Sequence, residues 1–250
     1  MIFVTGVSGD LGRALAARAD VAGSVHSRPL PGRHALDVRD AAAVRRAFAT
    51  ERPDVVIHTA YRQDDDTVTR DGAAVVATEA ARAGARLIHL SSDLVFRGAL
   101  GRALTEDDAP DALAGYGRAK ADAERLVAEA HPDALIVRTS LLLGAPGPPL
   151  RHELMARDPG AFFYDDELRS PMSAGDLADA LLELASLDVG GVLHIAGADD
   201  VTRLELARLI NPSARGGPGP PERPKVCALD CARARALLST RLRGVRELLG

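Results

Sequence analysis

Tryptophan is absent from this chain, and with three Tyr and five Phe the aromatic share is only 3%. Stacking platforms for bases are therefore not implied, and aliphatic side chains and Ala must fill the core. Cysteine is scarce as well. The two that occur, Cys227 and Cys231, stand four apart with no second pair or nearby histidine to complete a metal site. They read as reduced, partly buried thiols, and no metal is expected. No apolar run approaches the roughly 20 residues that cross a bilayer, and the start MIFVTG lacks a basic n-region and a cleavage site. A cationic excess is missing too: the net charge is -4, with Lys and Arg scattered. That argues against nucleic acid and anionic membrane as partners. A soluble cytoplasmic protein is the expectation.

What is present is the composition of a packed globule, 46% hydrophobic over 250 residues, enough for one large α/β domain or two small ones. Short apolar runs at 2–5, 23–27, 55–59, 86–91, 135–140 and 192–196 alternate with helical patterns at 11–20, 40–50, 67–83, 116–130 and 174–187. This alternation predicts a parallel sheet with crossover helices, and strands so uniformly apolar suit a sheet covered on both faces. After 140 the rhythm breaks. GAPGPP (144–149) reads as a loop, and NPSARGGPGPPERPK (211–225) as a longer Pro/Gly-rich connection. LARLI and ALDCARARALLSTRL read as small helices outside the sheet, in a minor lobe on its carboxyl edge. The triplet Asp64, Asp65, Asp66 reads as a loop or a helix N-terminus.

IFVTGVSGDLGRALA runs from a strand through Gly6, Gly9 and Gly12 into a helix. Glycines there permit a tight turn and close backbone approach to a pyrophosphate at the helix start, so Gly6 to Gly12 (with Val7, Ser8, Asp10 and Leu11 between) is the candidate dinucleotide turn. Where an acid would suit the ribose hydroxyls of NADH, the second strand ends in Ser27 and Arg28. A hydroxyl and a guanidinium suit a 2′-phosphate, so NADPH is favoured over NADH. This turn resembles that of the short-chain dehydrogenase/reductase group, and the resemblance implies that Asp37 and Val38 of ALDVRD lie beside the adenine. Further along, YGRAK places Tyr116 and Lys120 four apart, hence on one helix face. An ammonium beside a phenol favours phenolate and eases proton transfer. A hydroxyl from Ser91 or Ser92, at the end of a central strand, could polarise a substrate carbonyl with the tyrosine.

The G-x-x-G-x-x-G spacing resembles the short-chain dehydrogenase/reductase group. RPDVVIHTAY, GARLIHLSSDLVFRG, YGRAKADAE, LIVRTSLLLG, RSPMSAGDLADALL and GVLHIAG, in that order, narrow the resemblance to the dTDP-4-dehydrorhamnose reductase family of its extended branch. SSDLVF resembles that family's S-T-D-Y-V-F, and RPKVCALDCARARALL its closing segment. The resemblance implies an α/β fold, a Rossmann-type doubly wound parallel sheet with a small C-terminal substrate lobe. As one domain over 1–250, residues 1–140 would mainly bind the dinucleotide and 141–250 mainly the substrate, with 173–196 returning to the sheet.

It also implies NAD(P)H-dependent reduction of the keto group of a deoxysugar nucleotide, with Ser92, Tyr116 and Lys120 catalytic. Thr59, Ala60, Tyr61, Ser91 and Arg138 would join Tyr116 and Lys120 beside the cofactor, and Asp93, Val95, Phe96, Arg169 and Ser170 would meet the substrate. The expected partner is a small keto-sugar or sugar nucleotide, and a homodimer is the assembly considered. Departures fall in substrate segments: RQDDDTV after Tyr61, Leu94 for an aromatic, Arg169 for a glycine.

His58 and His89, on apolar strands, read as satisfied core or cofactor-adjacent histidines. Glu106, Asp107 and Asp108 read as a solvated turn. Two other functions share these motifs: a sugar-nucleotide epimerase, and a non-catalytic NADP-binding regulator resembling the regulatory subunit of methionine adenosyltransferase. The retention of both Tyr116 and Lys120 favours catalysis.

Overall fold

The computed structural model describes residues 1–26, 30–112, 115–144 and 146–250. A strand–helix series opens the chain: β1 (Ile2–Thr5), α1 (Asp10–Ala16), β2 (Ala22–Val25), β3 (His34–Ala35), α2 (Ala41–Glu51), β4 (Val55–His58), α3 (Gly72–Ala83), β5 (Arg86–Ser92), α4 (Gly115–Ala130) and β6 (Leu135–Thr139). β7 (Leu142–Leu143), α5 (Arg151–Ala156), β8 (Phe162–Tyr164), β9 (Leu168–Arg169) and β10 (Met172–Ser173) then depart from it. α6 (Ala174–Leu184) and β11 (Gly191–His194) return before β12 (Val201–Thr202), α7 (Arg203–Ile210), β13 (Arg215–Gly217), α8 (Ala232–Leu237) and α9 (Val245–Leu249).

Seven strands in the order β11-β6-β5-β4-β1-β2-β3 form one sheet, parallel at every pairing. From β1 the chain builds outward first through β2 and β3, then the other way through β4. The crevice between β1 and β4 is thus the switch point, where sheets of this class bind ligands. Side chains alternate across the sheet. Val4, Ile57 and Ile88 pack with Leu15 of α1 and Leu177 of α6, whereas Phe3, Val56 and Leu87 pack with Phe48, Val76 and Val127 of α2, α3 and α4. Each such side chain taken out of water contributes about 1.5–3 kcal/mol, so both faces are strongly held.

Several elements differ from the sequence expectation. Helix α1 stops at Ala16, and a π-helical turn over Thr67–Asp71 precedes α3. Asp65, within the acidic triplet, receives the backbone N–H groups of Thr67 and Val68 at that turn. β3 is two residues long and escapes any periodicity argument. Within the Pro/Gly-rich connection, Arg215–Gly217 is a strand paired with β8, because a neighbouring edge supplies partners that local sequence does not announce. Both cysteines are free and fully buried rather than partly so, and burial pushes each thiol up to about 12. Among the described residues no helix is long and apolar enough to cross a membrane, and no cluster of three potential ligands could hold a metal.

Candidate active site

β1 hands the chain to the glycine turn at the sheet's carboxyl edge. Gly6 has φ +71, and a Cβ there would press on Ala60 at 3.0 Å. A Cβ on Gly12 would lie 2.4 Å from the Gly6 carbonyl and 2.6 Å from Val7 Cα, so only glycine lets α1 start this close to the turn. Gly9 caps α1 without a side-chain hydrogen bond, and Ser8 to Gly12 line a cavity of about 990 Å³. Uncapped first-turn N–H groups on a cavity wall fit a dinucleotide's diphosphate. Asp10 adds a negative charge at that turn, balanced by Arg13 at 2.5 Å. Behind the wall, Val7 donates its N–H to Ser24. Thr59 donates to the Thr5 carbonyl at 2.7 Å and Ala60 to the Thr5 hydroxyl at 3.3 Å, which ties the ends of β1 and β4 together.

The second set of groups comes from the end of β5 and the first turns of α4. Ser91, Ser92, Tyr116 and Lys120 all line the same cavity. Ser92 donates to Asp93 at 3.1 Å and receives the Leu94 N–H at 3.2 Å. The Tyr116 phenol is pushed well above its ordinary value, first by burial, then by Tyr61 and Asp93, with a hydrogen bond to Ser92 pulling the other way. Lys120 donates to the Leu90 carbonyl at 2.6 Å and lies 5.3 Å over the Tyr61 ring. Burial lowers the Lys120 ammonium to about 8, with Glu124 opposing.

The expected lowering of the phenol by Lys120 is therefore corrected. The i, i+4 spacing does bring both residues to one wall, but the ammonium is spent on a carbonyl and burial dominates the phenol. Tyr116 is held in its protonated form, the form a proton donor needs.

The remaining candidates divide. Thr59 and Tyr61 reach the cavity, and Asp93 lies on it, buried, accepting from Ser140 at 2.6 Å. Burial raises the Asp93 carboxyl, with Arg169 and the two serine hydroxyls opposing. Ser27 and Arg28 lie outside the described residues. Asp37 and Val38 are off the cavity wall: Arg39 holds Asp37 at 2.6 Å and draws its carboxyl down, while Val38 packs in the core.

Arg138 is corrected from cofactor contact to buried support. It grips Glu124 at 2.8 Å, and Glu124 in turn receives the Ser91 hydroxyl. Among the substrate candidates, Val95 and Phe96 are core residues. Arg169 is turned inward onto the carbonyls of Leu168, Pro224 and Lys225, and Ser170 onto Asp200.

The histidine reading also changes. His58 and His89 stack at 5.2 Å in the core. Only His58 Nδ1 finds a partner, Thr5 Oγ1 at 2.7 Å, leaving His58 Nε2 and both His89 nitrogens without one. Burial, with the Lys120 charge nearby, keeps both imidazoles neutral. Glu106 accepts the His194 N–H, and Asp108 is clasped by Arg102 and Thr105 rather than solvated alone.

The C-terminal part of the chain adds lining residues that the sequence reading missed: Arg151, His152, Phe162, Tyr164, Arg203 and Arg223. One signal was available. AFFYDD concentrates two of five Phe and one of three Tyr at adjacent positions in an aromatic-poor chain. Arg203 gave none, since a single Arg at a helix start is ordinary.

Set beside known proteins, the whole chain, residues 1–250, matches the family model described as RmlD substrate binding domain. It is 34% identical over 227 residues to the Streptomyces antibioticus protein named "Probable dTDP-4,6-dihydroxy-2-methyloxan-3-one 4-ketoreductase", covering 83% of this chain and 75% of that one. It is also 34% identical over 235 residues to the dTDP-4-dehydrorhamnose reductase of Mycobacterium tuberculosis H37Rv, covering 84% and 74%. In three dimensions it resembles the crystal structure of a hypothetical dTDP-4-dehydrorhamnose reductase from Sulfolobus tokodaii. The TM-score is 0.83 at 27% identity, over 97% of this chain and 96% of that one.

Proposed function

The chain belongs to the RmlD substrate binding domain family, and from that premise we propose that it is an NAD(P)H-dependent oxidoreductase reducing the keto group of a 4-keto-deoxysugar nucleotide. The observation that carries the reading is a single cavity wall on which an uncapped glycine-turn helix meets Ser92, Lys120 and a half-buried Tyr116 whose phenol is held protonated. The two relatives named above for ketoreduction of dTDP-linked sugars support the substrate class.

A reduced nicotinamide dinucleotide resting on Ser8 to Gly12 would supply the hydride. Tyr116 gives its phenolic proton to the carbonyl oxygen, so that the ketone becomes a secondary alcohol and a phenolate is left behind. Ser92, whose proton rests on Asp93 through a bond of only 3.1 Å, turns to the same oxygen and stabilises its developing charge. The Lys120 ammonium, fixed on the Leu90 carbonyl, lines the same wall and would lie beside the cofactor. Glu124 keeps that ammonium charged and is itself held by Arg138. NADPH is favoured over NADH on the strength of Arg28 in the sequence. We place the protein in the cytoplasm, acting on a small molecule and not on nucleic acid or membrane, with a homodimer as the assembly to look for by sedimentation.

The experiment is titration with NADPH and NADH, followed by a panel of 4-keto sugar nucleotides with the reduced nicotinamide absorbance monitored. Oxidation of NADPH by at least one of them is expected. Tight NADPH binding with no oxidation, together with stable association with another protein, would transfer the chain to the regulatory reading.

A further inference from the structure

Gly117 follows Tyr116 directly in α4 and is buried, behind the wall that Tyr116 and Lys120 line. Glycine is a poor helix residue, and alanine at such a place ordinarily favours the helix. Here alanine has no room. A Cβ on Gly117 would lie 2.1 Å from the Leu94 carbonyl oxygen, 3.1 Å from its carbon and 3.2 Å from Ala112 Cβ. The nearest of these atoms is main chain, so no change of rotamer relieves the overlap. Either α4 or the Leu94 turn would have to move by about 1 Å to restore ordinary contact.

The turn is the less movable of the two. It is a 3₁₀ turn over Asp93–Val95 that follows β5 directly. Ser140 donates to buried Asp93 at 2.6 Å, Ser92 receives the Leu94 N–H, and the Val95 carbonyl accepts from Asp111 and Ala112 at 3.0 and 2.9 Å. Each of its three residues is thereby fastened. Helix α4 is fastened too, but further along. Lys120 meets the Leu90 carbonyl at 2.6 Å, and Glu124 receives the Ser91 hydroxyl and is gripped by Arg138 at 2.8 Å. Together with Gly117 these contacts form a seam at i, i+3 and i+7, one face of α4 laid along the end of β5. Only the contact at Gly117 lies in the turn that carries Tyr116.

We propose that Gly117 is a positioning residue: by letting the first turn of α4 rest on the Leu94 carbonyl, it sets the reach of Tyr116 toward Ser92 and the substrate carbonyl. The proposal rests on the reductase reading of the same cavity and deepens it, by naming what places the proton donor. A methyl group at 117 tilts the first turn away from Leu94, with the bonds of Lys120 and Glu124 as the pivot. Tyr116 swings outward while Lys120 stays on the Leu90 carbonyl.

The test compares wild type, Gly117→Ala and the control Arg118→Gly in steady-state reduction of a dTDP-linked 4-keto-sugar, in ordinary and heavy water, together with a crystal structure of Gly117→Ala. Arg118 is exposed in the same turn, so its glycine variant weakens the helix without adding an atom to the seat. In Gly117→Ala, kcat falls about 10²-fold, the effect of misplacing a reacting group by about 1 Å. NADPH affinity and KM stay near wild type, and the solvent isotope effect on kcat rises because proton delivery becomes the slow step. The alkaline limb set by Lys120, lowered to about 8, does not move. Arg118→Gly melts lower and keeps its kcat and isotope effect. In the crystal structure the first turn of α4 stands about 1 Å further from Leu94.

A wild-type kcat in Gly117→Ala would overturn the proposal, as would a first turn unmoved in its crystal structure. An equal loss of kcat in Arg118→Gly would overturn it by assigning the sensitivity to helix stability. A Gly117→Ala protein that fails to fold or to bind NADPH would also overturn it, because the residue would then support the core and not the first turn alone. If the wild type oxidises NADPH with no keto-sugar nucleotide while the turn moves as described, the seat stands and the reductase reading falls. If wild type and Gly117→Ala are equally active, the seat falls and the reductase stands.

Discussion

The lining drawn from the first 140 residues (the near wall) and that drawn from the C-terminal part (the far wall) are built in different ways. The near wall is local: Gly6 to Gly12 is one turn, Ser91 and Ser92 end one strand, and Tyr116, Lys120 and Glu124 lie on one face of α4. The far wall is assembled at long range, with Arg223 reaching Glu167 across 56 residues and Arg203 brought beside Glu167 by two short strands. Groups that move a proton need fixed geometry, which a strand end and a helix face provide. Groups that recognise a substituent can come from loops, and their sequence is correspondingly freer.

The largest effect expected from breaking the near wall is that of Tyr116→Phe. Removing the phenol that would protonate the carbonyl should lower turnover about 10²- to 10⁴-fold, while an NADPH titration stays close to wild type. Retained turnover would place the proton elsewhere. Next comes Gly12→Ala, whose Cβ would lie 2.4 Å from the Gly6 carbonyl. The strain should cost about 1–3 kcal/mol, read as a lower melting temperature and weakened NADPH binding together; loss of neither would mean that the turn relaxes freely.

A smaller, graded effect follows from Lys120, lowered to about 8. Turnover should decline above about pH 8 as the ammonium loses its proton, and Glu124→Gln should move that limb to lower pH. Stability should not follow this decline. The unfolded chain holds the Lys120 proton up to its ordinary value near 10.5, so between about 8 and there the unfolded state binds more protons and this group favours folding as pH rises. A pH–rate profile beside a pH–melting profile separates the two.

The smallest effect is expected at His89, buried with both nitrogens unpartnered. Replacing such a group with an apolar one of similar size removes a desolvation cost, so His89→Leu should leave stability unchanged or raise it by up to about 1 kcal/mol. A clear loss would show that the imidazole has a bonding role.

The same contrast explains what the sequence could disclose. Six strands, five crossover helices and the glycine turn were legible because periodicity and turn chemistry act over a few residues. Ser92, Tyr116 and Lys120 were legible because each sits at a predictable place on such an element. Arg138, Arg169 and Ser170 were misplaced because near a strand end one residue's shift decides between cavity and core. The place of Arg203 on the cavity wall was invisible, since it depends on the long-range pairing of β12 with β9.

The central claim is that Tyr116, on the near wall, supplies the proton for the reduction. It is tested most directly by kcat and KM for reduction of one dTDP-linked 4-keto-sugar, measured side by side in wild type and Tyr116→Phe. The account predicts that Tyr116→Phe collapses kcat with NADPH affinity retained. Turnover kept in Tyr116→Phe, or NADPH binding lost with it, would contradict the account.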